Sequence, residues 1–293
     1  MSFKPIVQGW KRFVSSRRVS PWGGIAASVV GTKHLAHSRS NQDAAQTATR
    51  PGGSVIAVAD GHSMAACCRA DRGSRIAVEV MVETALAWIE SLDRNAKPSI
   101  EAAIDLSEST NGKWRRRVRA DIGLNSFTPE EISALGSAIS TPTVAYGTTL
   151  VASVATDKFC LGLQIGDGQL FAVTDAGVAG QLIVPAESIG EESDSLCAAD
   201  ALTKYRFAFV SFNDVRPAAI ICSTDGYDKA FRSTDDFLRI GSLFVESLRA
   251  AGPDELAAAL PAALREASDE GSRDDVSCAI LFRKDLYCHG RTC

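Results

Sequence analysis

Ser54-Val55-Ile56-Ala57-Val58-Ala59-Asp60-Gly61-His62 is the stretch from which the rest of this chain is read. Residues 55–59 form a short apolar run, the pattern of a strand buried on both faces. The run stops at an acid, a glycine and a histidine. A carboxylate at the mouth of a buried strand is held rigidly yet still faces solvent, which suits a hard divalent cation that takes fixed oxygen ligands. The glycine lets the backbone turn sharply and offers an unshielded carbonyl oxygen. Taken singly, an Asp-Gly pair is equally the mark of a plain turn.

On the N-terminal side, residues 24–31 read as a strand, followed by a polar loop over 32–40 and by Asn41-Gln42-Asp43. On the C-terminal side, two long helical patterns follow. One covers about 64–92, with Ile76, Val80, Val82, Ala85, Leu86 and Ile89 near helical spacing. The other covers about 99–122, with Ile100, Ala103, Ile104, Trp114 and Val118 facing inward. A loop spans 123–146. Runs at 148–154, 159–165, 169–174 and 178–184 alternate with turns at Asp157-Lys158, Gly166-Asp167-Gly168 and Asp175-Ala176-Gly177, an antiparallel meander. Residues 185–205 read as a surface flap. Strands at 206–212 and 218–223, helices at 234–250 and 253–267, and a last strand at 276–282 complete the chain. Helices and strands are segregated and do not alternate, so the class is α+β in a single domain over 23–285, with a basic arm at 1–22 and a tail at 286–293.

The 293 residues are 45% hydrophobic and 23% charged, ordinary for a globular protein, and suffice for a large core. A net charge of −4 speaks against a nucleic-acid surface. Eight cysteines lie scattered with no Cys-x-x-Cys pair, which reads as thiols in a reducing compartment. No run approaches the length of a membrane span, and the basic N-terminus lacks the apolar region of a secretory signal; the expectation is cytoplasmic, without membrane or nucleic-acid partners.

Asp43, Asp60, Asp225 and Asp274 share one setting, each where an apolar strand meets a loop. If those strands are neighbours, their carboxylates meet at one end of a sheet. Like charges crowded together raise one another's pKa, and cations between them remove the repulsion.

Six motifs in order carry a resemblance: Asn41-Gln42-Asp43, Val58-Ala59-Asp60-Gly61-His62, Gly147-Thr148-Thr149, Ile165-Gly166-Asp167-Gly168, Ser223-Thr224-Asp225-Gly226 and Ser272-Arg273-Asp274-Asp275. Over about residues 24–283 the chain resembles the metal-dependent type 2C serine/threonine protein phosphatases (PPM), most of all the compact bacterial branch. The resemblance implies a four-layer αββα sandwich, two antiparallel sheets flanked by helix pairs. It implies hydrolysis of phosphoserine and phosphothreonine esters by a water held between two Mn²⁺ or Mg²⁺ ions, with phosphoproteins, targets of a serine/threonine kinase, as substrates. Matched motif by motif, Asp60 would bridge the metals, the Gly61 carbonyl would ligate one, Asp225 and Asp274 would complete the other, and Asp43 would hold their waters. His62 would be the general acid. Asp167 matches a position near a third metal, or else is a hairpin turn.

Several positions depart from the family pattern. Ser38 stands where a phosphate-gripping arginine is usual, leaving Arg39 or His34 for that task. Gln42 replaces a usual glutamate. Asp228 comes three residues after Asp225 where four is common, and Asp275 stands in place of an asparagine, beside Asp274. The rival from another class is a catalytically silent phosphatase-like domain that binds phosphoproteins as a regulatory module. A haloacid-dehalogenase-type phosphatase would need an acid at position 58, which is Val58, and no phosphate-binding P-loop is present.

Overall fold

The computed structural model of the chain describes residues 19–92, 99–184, 194–213 and 216–287. Two five-stranded antiparallel sheets lie face to face. The first has the order β1 (Trp22–Val29), β10 (Val276–Arg283), β9 (Ala219–Ser223), β6 (Gln169–Val173), β7 (Ala179–Ile183). The second has the order β2 (Ala44–Arg50), β3 (Gly53–Ala59), β4 (Leu150–Ala155), β5 (Phe159–Ile165), β8 (Arg206–Ser211). Helices α2 (Ala70–Ser91) and α3 (Ile100–Leu124) cover the second sheet, and α7 (Thr234–Ala250) and α8 (Pro253–Ala267) cover the first. Short helices α1 (Thr32–Ala36), α4 (Pro129–Leu135), α5 (Ala201–Lys204) and α6 (Asp225–Asp228) occupy connections. This is the four-layer αββα sandwich.

The layers follow from where each strand sends its side chains. In β3, Val55, Ala57 and Ala59 face α2, whereas Ile56 and Val58 enter the space between the sheets. Ile56 and Val58 meet Leu170, Ile220, Cys222 and Leu281 there. Each such fully buried side chain contributes about 1.5–3 kcal/mol. Trp22 is fully buried in the same layer, and its Nε1–H donates to the Thr156 carbonyl across the sandwich at 2.7 Å. The first strand therefore starts at Trp22, two residues before the position its sequence suggests. On α7, Phe237, Ile240, Phe244, Val245 and Leu248 form the buried stripe.

Several sequence expectations are corrected. Residues 44–50 form a strand that the sequence did not announce. Their side chains are small or polar and half-buried at a sheet edge, with no β-branched apolar run to signal pairing; the Pro51-Gly52 turn folds them onto β3 in register Ala44↔Ala59. The loop 32–40 holds the short helix α1, and the first long helix begins at Ala70, not near 64. On α3 the buried face is Ala103, Leu106, Trp114 and Val118; Ile100 and Ile104 flank Ala103, which alone of the three packs on Phe159 and Leu161, and they stay exposed. The loop 123–146 contains α4, opened by a Thr128/Glu131 capping box. The meander is not continuous: β4 and β5 pair in the second sheet, β6 and β7 in the first, so Gly166-Asp167-Gly168 is a crossover between sheets and not a hairpin turn. Of the expected flap 185–205, residues 185–193 lie outside the described residues. Leu196, Ala201 and Tyr205 are core residues under α3. Most of the expected arm, residues 1–18, and Cys288 with the tail also lie outside the described residues. The six described cysteines are free thiols, four of them buried. Among the described residues no helix is long and apolar enough to cross a membrane.

Candidate active site

Pairing of β2 with β3 puts Asp43, just before one strand, beside Asp60, just after the other. The Asp60 peptide is fixed from three directions. Its N–H donates to Thr149 Oγ1 at 3.0 Å, and its carbonyl accepts from Thr149 N–H and Thr148 Oγ1, both at 2.9 Å. Gly147-Thr148-Thr149 is thus the bracket that aims Asp60. Gly61 is required by space: a Cβ there would lie 2.6 Å from the Gln42 carbonyl oxygen and 2.8 Å from that of Ala70.

From the first sheet, β9 ends at Ser223, Thr224 follows as the cap residue, and α6 opens with Asp225. Thr224 joins the two sheets. Its Oγ1 donates to Asp43 Oδ2 at 2.7 Å and accepts from Ser277 N–H at 3.0 Å. Asp274 precedes β10 and packs close to Gly226, where a Cβ would meet its own Cβ at 3.5 Å and the Asp275 carbonyl oxygen at 2.0 Å. The acids of both sheets are in this way brought to one end of the sandwich.

The electrostatics are those of crowded carboxylates. Burial pushes the Asp60 carboxyl well above its ordinary value, and the charges of Asp43, Asp225 and Asp167 push the same way. Burial likewise raises Asp43, reinforced by Asp275 and Asp225, against the Thr224 hydrogen bond that lowers it. Asp167 therefore acts on the cluster, though its turn is a crossover. Asp228 turns to Gln169, whose Nε2–H donates to its Oδ2; burial lifts the Asp228 carboxyl to about 6, the Gln169 bond opposing and Asp225 adding to it. His62 Nε2 is buried with no protein partner among the described residues. Burial lowers the His62 pKa, while Asp167 and Asp225 pull it upward.

Two residues that the sequence offered for other tasks are committed. Asp275 Oδ1 accepts from Gly31 N–H at 2.6 Å, and Oδ2 from Gln42 N–H at 2.6 Å, with His34 Nδ1 at 2.8 Å from the same oxygen. Both oxygens are engaged, so Asp275 anchors the 31–42 segment. His34 is 3% exposed and held by that carboxylate, which leaves it little surface from which to grip a phosphate. Arg39 is exposed on the anchored segment, and its guanidinium makes no ion pair among the described residues. Lys229, missed entirely, donates from Nζ to Asp225 Oδ2; its i, i+4 spacing from Asp225 was the available signal.

Among the described residues no three acid, histidine or cysteine side chains close on a common point as a finished ion cage. The donors nonetheless fit hard divalent cations. Those gathered from Asp43, Asp60 and Asp225 are all oxygen, and a cation would relieve the repulsion that, on top of burial, raises Asp43 and Asp60. Thr224→Val, which keeps the shape, leaves Asp43 Oδ2 and Ser277 N–H without their partner. The expected loss is about 1–3 kcal/mol, read from the urea midpoint, together with reduced phosphate-ester turnover.

Residues 30–265 match the family model of protein phosphatase 2C. No curated protein sequence matches the chain. Among solved structures, the catalytic domain of serine threonine protein phosphatase PstP in complex with two manganese ions is 16% identical, covering 89% of this chain and 97% of its own, at a TM-score of 0.57. The serine/threonine phosphatase Stp1 from Staphylococcus aureus is 13% identical, covering 88% and 94%, at 0.56. PppA, a key regulatory component of T6SS in Pseudomonas aeruginosa, is 17% identical, covering 90% and 98%, at 0.54. At these identities the likeness is one of fold.

Proposed function

Because the chain belongs to the protein phosphatase 2C family, we propose that it is an active phosphoserine/phosphothreonine protein phosphatase dependent on two Mn²⁺ or Mg²⁺ ions. The observation that carries this reading is the meeting of Asp43, Asp60 and Asp225, drawn from both sheets, at one end of the sandwich, where burial and mutual charge hold the first two toward protonation. A silent binding domain has no need of that repulsion.

In this reading Asp60, the Gly61 carbonyl, Asp225 and Asp274 hold the cations, with Asp43 at their edge. The cations would supply Lewis-acid stabilisation of the charge that gathers on the phosphoryl oxygens and would make a water nucleophilic at neutral pH. The bracket of Thr148 and Thr149 keeps Asp60 from turning, and Thr224 keeps Asp43 from swinging out of the cluster. As water oxygen bonds to phosphorus and the ester P–O bond breaks, the departing serine or threonine oxygen needs a proton. His62 Nε2, unpartnered among the described residues, is the atom to give it. Arg39 receives the phosphate by bidentate pairing. Phosphoproteins modified by a serine/threonine kinase are the substrates.

Purified chain with Mn²⁺ is expected to hydrolyse p-nitrophenyl phosphate and a phosphothreonine peptide, and excess chelator to stop both. Absence of turnover with every divalent metal, by a folded protein, would leave the phosphoprotein-binding module as the reading.

A further inference from the structure

Lys229 places a cation directly on the acids. The single turn of α6 ends at Asp228, and Lys229 continues it with φ −61° and ψ −16°, so its side chain rises on the same face as Asp225, one turn earlier. The geometry is asymmetric. The Lys229 side chain is 60% exposed and that of Asp225 only 11%. A water-exposed stem thus leans its ammonium back onto a buried carboxylate. Asp225 is its one salt-bridge partner among the described residues, and the charges of Asp167 and Asp60 bear on it as well.

We propose that Lys229 is a tethered counter-ion of the acid cluster, which a divalent cation displaces on binding Asp225, so that this chain takes up metal by exchange. The inference rests on the phosphatase reading in that a divalent cation binds there. Nothing covalent changes: the ammonium leaves Asp225 Oδ2 for water as the ion arrives. An exposed, unbranched side chain without a second anchor makes that swing without backbone movement. The occupied carboxylate keeps the metal-free cluster from carrying its full repulsion, and metal affinity is lowered by the contact that is given up.

The test is calorimetric titration of chelator-stripped full chain with MnCl₂, for the parent protein, Lys229→Met and Lys229→Arg, with melting temperatures in chelator alongside. Methionine keeps the stem and removes the charge; arginine keeps the charge. Lys229→Met is expected to bind Mn²⁺ roughly tenfold more tightly, equal to about 1.4 kcal/mol, and to melt lower in chelator, while Lys229→Arg stays near the parent on both counts. Equal or weaker Mn²⁺ binding by Lys229→Met, or tightening shared by Lys229→Arg, overturns the exchange and leaves the phosphatase reading in place. No Mn²⁺ binding by any of the three overturns both.

Discussion

Asp60→Asn is expected to cut phosphate-ester hydrolysis by on the order of a hundredfold or more, the scale of losing one oriented electrostatic group at a reaction centre, and at the same time to raise the melting temperature in chelator. The two effects share one cause. Asp60 sits among Asp43, Asp225 and Asp167, and burial together with their charges holds its carboxyl well above the ordinary value. Asparagine has the same shape and carries no charge, so the repulsion disappears with the ligand. A gain of about 1–2 kcal/mol is the usual size when a strained functional group is neutralised. The pH dependence has a definite sign. In the folded protein Asp43 and Asp60 hold protons at pH values where the unfolded chain has released them. Their contribution is therefore fully favourable below the ordinary carboxylate range and is lost as pH rises through the raised native values. In chelator the parent protein should lose stability over that rise, and Asp60→Asn should lose less. Melting temperatures at several pH values, with p-nitrophenyl phosphate turnover measured in Mn²⁺, check both. Parent-level turnover by the variant would remove Asp60 from the site.

Where sequence sufficed, it did so through burial. β3, β9 and β10 are packed on both faces, so their apolar runs stand out, and each is bounded by an acid that marks the strand end. The acids of the site were legible for that reason. Elements whose identity depends on a distant partner were not. β2 is a strand because β3 and the turn hold it, not because of what Ala44-Ala45-Gln46-Thr47 prefers. The crossover at Gly166-Asp167-Gly168 has the composition of a hairpin turn, and only the second sheet's demand for β8 beside β5 separates the two. Thr224 lies 181 residues from the carboxylate it steadies, and Asp275 lies 244 from the Gly31 amide it accepts. Such side chains read as turn residues until the fold joins them. The helical pattern over about 64–92 placed Arg69 within a helix; the structure makes it the residue before α2, buried, with its backbone N–H on the Ala145 carbonyl.

Arg69→Met is expected to destabilise the protein by about 3 kcal/mol, the lower end of the cost of breaking a buried ion pair from one side, because Glu131 is 21% exposed. The guanidinium spends all its donors. Nε and one terminal nitrogen form a fork on Glu131 at 2.7 and 2.6 Å, and that same nitrogen also reaches the Ser126 carbonyl at 3.0 Å. The other donates to the Asn125 carbonyl at 2.6 Å and to Tyr146 Oη at 2.9 Å. Its Cζ lies 4.2 Å from the Phe127 ring centre. Removing it takes the arginine's hydrogens from a carboxylate, two carbonyls and a phenol, of which Glu131 keeps the Thr128 N–H and Tyr146 keeps Asp121. Lysine should rescue little, because one ammonium cannot serve a planar fork and three further acceptors. The consequence reaches the site through α2: Ala70, next in the chain, has its carbonyl against Gly61, within the space a Cβ would need. A loosened helix start thus relaxes the turn that aims Asp60. Urea midpoints should fall for Arg69→Met and Arg69→Lys alike, and turnover in Mn²⁺ should fall with them at temperatures where both variants remain folded. Loss of stability with undiminished turnover would mean that the Asp60-Gly61 turn is set by the Thr148-Thr149 bracket alone.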